Sequence, residues 1–422
     1  MTIRPYIEIF RENGAILVLC VATAVSMSGL GIITPVLPLF AREFGMGTAA
    51  IGFVVGIFGL ARLLMNIPSG FIGERFGRKV SIGGGLLLSA AGLFLTGASR
   101  NFFEMAGWRF VSGAGSAMHM TGALSYMADI STPENRGLLM SLQIGSLLLG
   151  TDIGPIIGGF VADAFGFRWP FYLAGILSAI AALWVMVRLP ESRRPVGPTS
   201  DLEAPAAPVD RGKVWDRGVI RSLLANRTFL LLSFFGLLIF FTRSGSRQTL
   251  LPLIAVQKVG MSATNLGILF TLMTTINFLL IVPAGALTDR FGRKAVILPG
   301  ALISLGGYGL FAWAGDVPTF FFAALILGLG SGLIGPAPAA YAGDLAPRGN
   351  TSMTMGLYRT FGDVGLLVGP VFLGWFSDIF NLYFSSDAGI GVAMAFNAFL
   401  LVGLALMLTL FGRETAGRRR AP

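Results

Sequence analysis

The sequence predicts an all-α polytopic membrane protein with 12 transmembrane helices arranged as two pseudo-symmetric six-helix bundles. Apolar residues make up 54% of the chain and charged residues 12%, whereas soluble domains carry about 45–50% and about 25%. Twelve stretches hold about 20 mostly apolar residues each, which is enough to cross a bilayer. The charged residues between these stretches repeat after 215 positions, which indicates two like halves.

Short loops separate most of the predicted helices. They cover residues 15–40, 49–72, 80–99, 102–129, 138–164, 169–190, 227–256, 262–287, 295–315, 318–345, 353–380 and 388–412. The first stretch contains Ala22-Thr-Ala24, which resembles a signal-peptide cleavage site, but its apolar run is too long, so we expect a retained helix. Cys20 is the single cysteine, which excludes an intramolecular disulfide.

The distribution of basic residues predicts the orientation of the chain in the membrane. Most of the 31 Lys and Arg residues would lie on the side of the amino terminus, while the loops of the other side hold only Arg42, Arg100, Arg168 and Lys258. The positive-inside rule then places both termini in the cytoplasm, in the inner or plasma membrane. The net charge of +10 therefore indicates topology and contact with anionic lipids and not nucleic-acid binding.

The chain divides at one long loop. Residues 1–190 form the N-terminal bundle, 191–226 a linker, 227–412 the C-terminal bundle and 413–422 a basic cytoplasmic tail. The linker contains Pro195, Pro198, Pro205 and Pro208, so its centre is predicted to be poorly ordered. Its end, Arg211–Arg221, is either an amphipathic surface helix or a solvated charge run.

A charged decapeptide occurs once in each half. It reads Gly70-Phe-Ile-Gly-Glu74-Arg75-Phe-Gly77-Arg78-Lys79 and Gly285-Ala-Leu-Thr-Asp289-Arg290-Phe-Gly292-Arg293-Lys294. Glycines permit a tight turn and the inner leaflet favours basic residues, but neither explains the acid. Asp129 and Asp344 end the fourth and tenth helices on the same face. We therefore expect two ionic clusters, one of Glu74, Arg78 and Asp129 and one of Asp289, Arg293 and Asp344.

The decapeptide resembles the loop motif Gly-x-x-x-Asp/Glu-Arg-x-Gly-Arg-Lys/Arg of the major facilitator superfamily. The fifth helix carries Gly150-Thr-Asp152-Ile-Gly154-Pro155-Ile-Ile-Gly158-Gly159, which is similar to the Gly-x-x-x-Gly-Pro-x-x-Gly-Gly motif of the 12-helix drug:proton antiporters. Arg109 precedes Gly113-Ala-Gly115, which looks like the family motif of the fourth helix. The resemblance implies the major facilitator fold, alternating access, and a gating role for the decapeptides.

Gly150, Gly154 and Gly158 share one face of the fifth helix and permit close helix packing, while Pro155 adds a bend. Packing alone would explain this stripe. The resemblance adds a functional direction, because the motif is typical of exporters.

Ionisable residues inside spanning helices are costly and usually functional or paired. They are Arg62, Arg109, Asp152, Arg243, Arg247, Arg359 and Asp363, with His119 as the single histidine. Helical rise places Asp152 between Arg109 and His119 in depth. Asp152 is therefore either a proton-coupling site with Arg109 or a permanent partner of Arg109, and His119 is either a proton relay or a satisfied interior imidazole.

The first helix lacks the acidic residue that many antiporters of this group carry there, so proton coupling would depend on Asp152 or Asp363. Arg359 and Asp363 are four residues apart, and an internal ion pair is the simpler interpretation for them.

Arg243 and Arg247 share a face of the seventh helix, and like charges so close favour an anionic ligand. The alternative is that Arg247 reaches outward to the membrane surface and Arg243 pairs with Asp363 or another acid across the bundle.

These observations and the resemblance predict a monomeric secondary transporter that moves a small molecule, anionic or amphipathic, by proton-coupled export. Alternatives are uptake or uniport of an anionic metabolite or lysolipid, and a nontransporting membrane sensor. One histidine, one cysteine and no nucleotide-binding motif argue against an enzyme and against ATP drive. We expect no cofactor and no metal, and protons and membrane lipids as further partners.

Overall fold

The structure is a computed structural model that describes residues 14–132, 135–192, 217–335, 337–347, 350–383 and 386–414, and the described part contains no strand. Twelve long helices occupy most of it. They are α1 (Gly14–Ile33), α2 (Thr48–Phe76), α3 (Arg78–Ala98), α4 (Phe102–Ile130), α5 (Arg136–Phe165), α6 (Trp169–Arg188), α7 (Arg227–Val259), α8 (Ala263–Phe291), α9 (Arg293–Trp313), α10 (Val317–Ile334), α11 (Thr351–Asn381) and α12 (Ser386–Phe411).

Three shorter helices accompany them. Leu37–Glu43 continues α1, and Ala337–Asp344 continues α10. Arg217–Ala225 precedes α7 and buries Leu223. Part of the predicted linker is therefore helical, so a solvated charge run does not describe Arg217–Arg221. The prolines of the linker and residues 415–422 of the tail lie outside the described residues.

Length and apolar composition qualify eleven helices of the described chain as membrane spans. The remaining helix, α4, is 29 residues long but carries Glu104, Arg109 and His119, which lower its hydropathy. Many large apolar side chains on the surface are exposed, among them Trp313 at 85% and Phe103 at 81%, as expected for a surface solvated by lipid. The predicted fold class is confirmed.

The two halves repeat each other in local structure. The pairs α2 and α8, α3 and α9, and α4 and α10 each begin 215 residues apart. Gly77 and Gly292 separate the first two helices of each set with φ of 101° and 102°. Side chains with a Cβ rarely adopt this conformation, which explains why both decapeptides carry glycine at this turn.

Helices α1–α6 pack mainly on one another, and so do α7–α12; we call these sets the N-bundle and the C-bundle. Between them, α2 packs on α11 and α5 packs on α8. The glycine stripe of α5 lies against α1, where a Cβ at Gly150, Gly154 or Gly158 would overlap the α1 backbone. Gly159 faces α8 instead, at the carbonyl of Ala263.

Candidate functional site

The two ends of the molecule carry different polar contacts. We call the end with the decapeptides the motif face, and the opposite end, where α5 and α11 finish, the far face. Between them, the intramembrane ionisable residues of α2, α5, α7 and α11 form a central set.

On the motif face of the N-bundle, the Arg78 Nε atom lies 3.0 Å from the Asp129 Oδ2 atom. The Ser192 hydroxyl also donates to Asp129, over 3.1 Å. The Glu191 carboxylate accepts the backbone N–H groups of Arg78 and Lys79, at 2.8 Å and 3.1 Å. The cluster thus joins the start of α3 to the ends of α4 and α6.

The C-bundle repeats this arrangement. The Arg293 Nε atom lies 3.1 Å from Asp344 Oδ2, and Glu414 accepts the N–H groups of Arg293 and Lys294 at 3.1 Å and 3.2 Å. The Lys294 ammonium donates to the Thr409 carbonyl over 3.0 Å. In each cluster, the contacts described here connect helices of one bundle.

One expectation for these clusters is wrong. Glu74 is exposed and, within the described residues, forms no ion pair with Arg78. Arg75 and Arg290 instead lie over the neighbouring rings of Phe76 and Phe291, at 5.5 Å and 5.2 Å. The side chain of Asp289 lies outside the described residues. The acid that reaches the turn is Glu191, because the end of α6 returns to the start of α3.

On the far face, two carboxylates cross between the bundles. Asp163, at the end of α5, accepts the N–H groups of Ala263 and Thr264 at 3.0 Å and 2.7 Å. Asp378, at the end of α11, accepts those of Thr48 and Ala49 at 3.1 Å and 2.8 Å. Each carboxylate thus caps the first turn of a helix in the other bundle, where free N–H groups and the helix dipole favour negative charge.

Asp152 in the central set lies on α5 and faces the C-bundle. Its carboxylate lies within electrostatic reach of Arg247 and Arg243. Its backbone carbonyl accepts the Thr271 hydroxyl over 3.1 Å. The Arg109–Asp152 pair considered from the sequence does not form, because Arg109 points into the N-bundle interior.

Asp363 forms the second acidic point of the central set. It accepts the Asn66 side-chain amide over 3.0 Å, which links α11 to α2. Arg62 and Arg359 are its nearest cations. Arg243 interacts electrostatically with both Asp152 and Arg62, so it connects the two acidic points. Four arginines against two aspartates leave an excess of two positive charges in this set.

Arg243 and Arg247 lie on an irregular part of α7. Residues Thr242–Leu250 form a π-helix, a rare geometry that is frequent at functional sites. Asn397 of α12 holds it: its oxygen accepts the Thr242 hydroxyl at 3.1 Å and its amide donates to Ser246 at 2.8 Å. The polar run Thr-Arg-Ser-Gly-Ser-Arg-Gln-Thr marks this place in the sequence, but periodicity alone does not predict a π-helix.

The side chains of both arginines of the π-helix lie toward the space between the bundles. Arg243 is exposed although its neighbours in α7 are buried, so it borders a solvent-accessible space inside the molecule. Arg247 lies over the Phe270 ring of α8 at 5.8 Å. Arg247 does not reach outward to the membrane surface. The acid within electrostatic reach of Arg243 is Asp152 of the other bundle, which agrees with the alternative that Arg243 pairs with an acid across the bundle.

The sequence model of the family named Major Facilitator Superfamily matches this chain over residues 19–245 and 236–422. The chain belongs to this family. It is 26% identical to an uncharacterized MFS-type transporter of Methanocaldococcus jannaschii, over 87% of this chain and 92% of that one. It is 25% identical to Multidrug resistance protein 1 of Bacillus subtilis, over 91% and 96%. Quinolone resistance protein NorA of Staphylococcus aureus (strain COL) is also 25% identical, over 87% and 90%.

Solved structures agree with this family. A bacterial homolog of the human lysosomal transporter Spinster, inward-facing and unoccupied, superposes with a TM-score of 0.79 at 18% identity, covering 94% of this chain and 96% of that one. The nucleoside transporter NupG (D323A mutant) gives a TM-score of 0.75 at 15% identity, covering 94% and 99%. This chain is therefore a multi-pass membrane transporter and not an enzyme.

His119 of this transporter lies in the N-bundle interior and is fully buried. Its Nε2 atom is 3.2 Å from the Thr23 hydroxyl, which also accepts the Gln143 amide at 2.8 Å. Its Nδ1 atom has no hydrogen-bond partner among the described residues. The imidazole is thus satisfied at one nitrogen only.

The sequence analysis missed Glu191, Glu414 and the capping role of Asp163 and Asp378. Glu414 follows Glu191 by 223 positions, so the offset of 215 does not pair them. A usable indication was present: each acid comes a few residues after the last helix of its half. Asp163 and Asp378 do match at the offset, but only the packing of α5 on α8 and α11 on α2 shows what they bind.

Proposed function

We propose that this transporter exports a small organic molecule and that inward proton flow drives the export. The observation that carries the proposal is the position of Asp152. It lies at the contact between the bundles, next to Arg243, which is exposed to an internal space. A carboxylate that can be reached from such a space and that binds a neighbouring bundle can couple protonation to the relative movement of the bundles.

The direction of the proposed transport rests on the relatives. Two relatives that align with most of this chain are named for resistance to drugs, and this supports efflux. The fifth-helix motif around Gly154 and Pro155 points the same way.

The proposed topology places the motif face in the cytoplasm, where its basic residues are favoured. The far face is then extracellular, and the Asp163 and Asp378 caps close it. In this proposal the structure is an inward-facing state, and the caps are the contacts that must break when the transporter opens outward. The decapeptide clusters would keep each bundle rigid while it moves.

A second candidate is the uptake of an organic anion together with a proton. The excess of two positive charges in the central set favours it. Protonating Asp152 would free Arg243 and Arg247 for a substrate carboxylate, so proton and anion would bind together. A cationic or neutral substrate that competes with the proton for Asp152 would give exchange instead.

Transport into proteoliposomes under an imposed pH gradient distinguishes the two candidates. The substrates are a fluorescent lipophilic cation, a zwitterion and a fluorescent carboxylate. Export predicts that a substrate accumulates on the side with the higher proton concentration, because the substrate exchanges for protons that leave that side. Accumulation on the side with the lower proton concentration would support anion–proton cotransport. Accumulation that does not depend on the pH gradient would contradict both candidates.

Arg243→Gln tests the cationic part of the site. We expect it to abolish any preference for the carboxylate over the cation. The matched control is Arg100→Gln, which removes an exposed arginine in the loop before α4. Unchanged selectivity in Arg243→Gln would exclude the central set as the anion-recognition site.

A further inference from the structure

Arg109 does not belong to the central set. It is 3% exposed, inside the N-bundle, and its Nε and Nη1 atoms have no hydrogen-bond partner among the described residues. The Phe58 ring covers one face of the guanidinium, 4.7 Å from its Cζ atom. A cation–π contact satisfies that face but does not supply acceptors for the N–H groups of Nε and Nη1, which lie at the edge of the plane.

A small cavity lies beside this guanidinium. Its volume is about 20 Å³, and α1, α2, α3, α4 and α6 all contribute to its wall. Five serines line it together with Arg109: Ser26, Ser89, Ser112, Ser116 and Ser178. Such a volume holds one or two water-sized particles, whereas sites for organic ligands measure about 300–1,000 Å³. The transported molecule therefore does not fit here.

The cavity wall offers donors without acceptors. The hydroxyls of Ser116 and Ser178 are buried and, like the Nε and Nη1 atoms of Arg109, have no hydrogen-bond partner in the described part of the chain. Ser89 and Ser112 by contrast donate to the carbonyls of Ser112 and Arg109. A buried cation without a counter-charge is strongly disfavoured. A particle that accepts hydrogen bonds and carries negative charge satisfies all of these groups.

The repeat shows that the fold does not require this cavity. The position equivalent to Arg109 in the C-bundle is Ala324, which is also fully buried. The equivalent of Ser178 is Ala393. The equivalent of Ser116 is Ser331, whose hydroxyl binds Asn277 over 2.9 Å. One half thus packs its core without a cation, while the other contains a cation surrounded by unused donors.

We propose that the Arg109 cavity binds a small monovalent inorganic anion, of the size of chloride, as a fixed component of the N-bundle. Arg109 supplies the charge, and the Ser116 and Ser178 hydroxyls supply neutral donors. The site is separate from the transported substrate, so the proposal does not depend on the direction or coupling of transport.

The test measures thermal unfolding of the purified transporter in sodium gluconate while sodium chloride or bromide is titrated in at constant ionic strength. We expect a saturable rise in the unfolding midpoint with either halide, because a ligand that binds the folded state stabilises it. Sulfate, which is too large for the cavity, should give no such rise. Crystals grown in bromide should show an anomalous peak beside Arg109.

Variants locate the effect. Arg109→Gln should remove the halide dependence. Ser116→Ala and Ser178→Ala provide a second test that does not depend on the folding of Arg109→Gln. Each should fold and bind halide about tenfold more weakly, as expected for the loss of one hydrogen bond to a charged group. The matched control is Ser331→Ala in the C-bundle, which should leave halide binding unchanged. A halide effect that is equal in Ser116→Ala, Ser178→Ala and Ser331→Ala, or a bromide peak elsewhere only, would overturn the proposal, as would a midpoint that no halide changes.

Discussion

The N-bundle and the C-bundle share a frame but differ in the ionisable residues that they bury. The turn glycines, the Arg78–Asp129 and Arg293–Asp344 pairs and the far-face caps occur in both. None of the seven intramembrane Arg and Asp residues has an ionisable equivalent in the other half: Asp152 corresponds to Leu367, Arg243 to Ser28 and Arg109 to Ala324.

The shared residues stabilise the fold, and the unshared residues supply the charges of the site between the bundles. Both halves need the same turns and caps because both must pack six helices and meet across the same kind of interface. The site between them needs groups of different charge facing one another, and two identical halves cannot supply these. We therefore expect equivalent substitutions in the shared frame to have equal effects in the two halves. Substitutions of the unshared residues of the central set should affect transport alone.

The largest effect is expected for Asp152→Asn. Loss of the ionisable group should abolish substrate accumulation driven by a pH gradient while leaving the protein folded, because the amide of Asn replaces the carboxylate with little change in size. Flux in proteoliposomes measures this. Asp316→Asn is the control, since that carboxylate is exposed and caps α10 in its own bundle. If gradient-driven flux survives in Asp152→Asn, the coupling proposal fails.

Next in size are Gly154→Ala and Gly369→Ala, equivalent positions in the shared frame. A new Cβ would lie 2.5 Å from the Ser28 carbonyl oxygen at Gly154 and 2.8 Å from Phe241 Cα at Gly369. Overpacking of this kind costs about 1–3 kcal/mol, so both should lower the unfolding temperature to a similar extent. A Cβ at Gly145 of α5 would have no atom within 4 Å, so Gly145→Ala should not lower the unfolding temperature. Destabilisation by only one of the pair would mean that the halves do not share this packing.

A smaller effect is expected for Asp163→Ala and Asp378→Ala. Removing a helix cap typically costs about 1 kcal/mol, so the amides in the first turns of α8 and α2 should exchange about fivefold faster. Hydrogen exchange resolves the two sites. Asp316→Ala should accelerate amide hydrogen exchange in the first turn of α10 only. Unequal effects would show that one far-face contact, and not both, holds the bundles together.

The smallest effect is expected for Glu191→Gln and Glu414→Gln. Each substitution neutralises an exposed carboxylate that accepts hydrogen bonds from two backbone N–H groups at the start of α3 or α9. A negative charge at a helix start contributes about 0.3–1 kcal/mol to stability. Both variants should therefore unfold at a slightly lower temperature, with unchanged substrate selectivity. Glu74→Gln is the control, since Glu74 is exposed and forms no ion pair with Arg78 in the described part of the chain. A larger loss in Glu74→Gln would restore Glu74 to the cluster.

The sequence was sufficient for the twelve long helices of the fold because apolar length and turn glycines act locally. The first stretch, 15–40, corresponds to Gly14–Ile33 and its continuation Leu37–Glu43. The offset of 215 also predicted Arg78 with Asp129 and Arg293 with Asp344, since both pairs lie at helix ends that the topology brings to one face. The π-helix at Thr242–Leu250 was not predictable, because Asn397 on a distant helix holds it.

The membrane class, the twelve long helices, the repeat and the family resemblance therefore follow from the sequence. Which buried charges meet depends on how the helices pack. Asp152 was expected near Arg109 and lies instead near Arg243 and Arg247. Depth along a helix follows from the rise per residue, but the direction of a side chain around the helix depends on how whole bundles pack, and no local pattern contains that information.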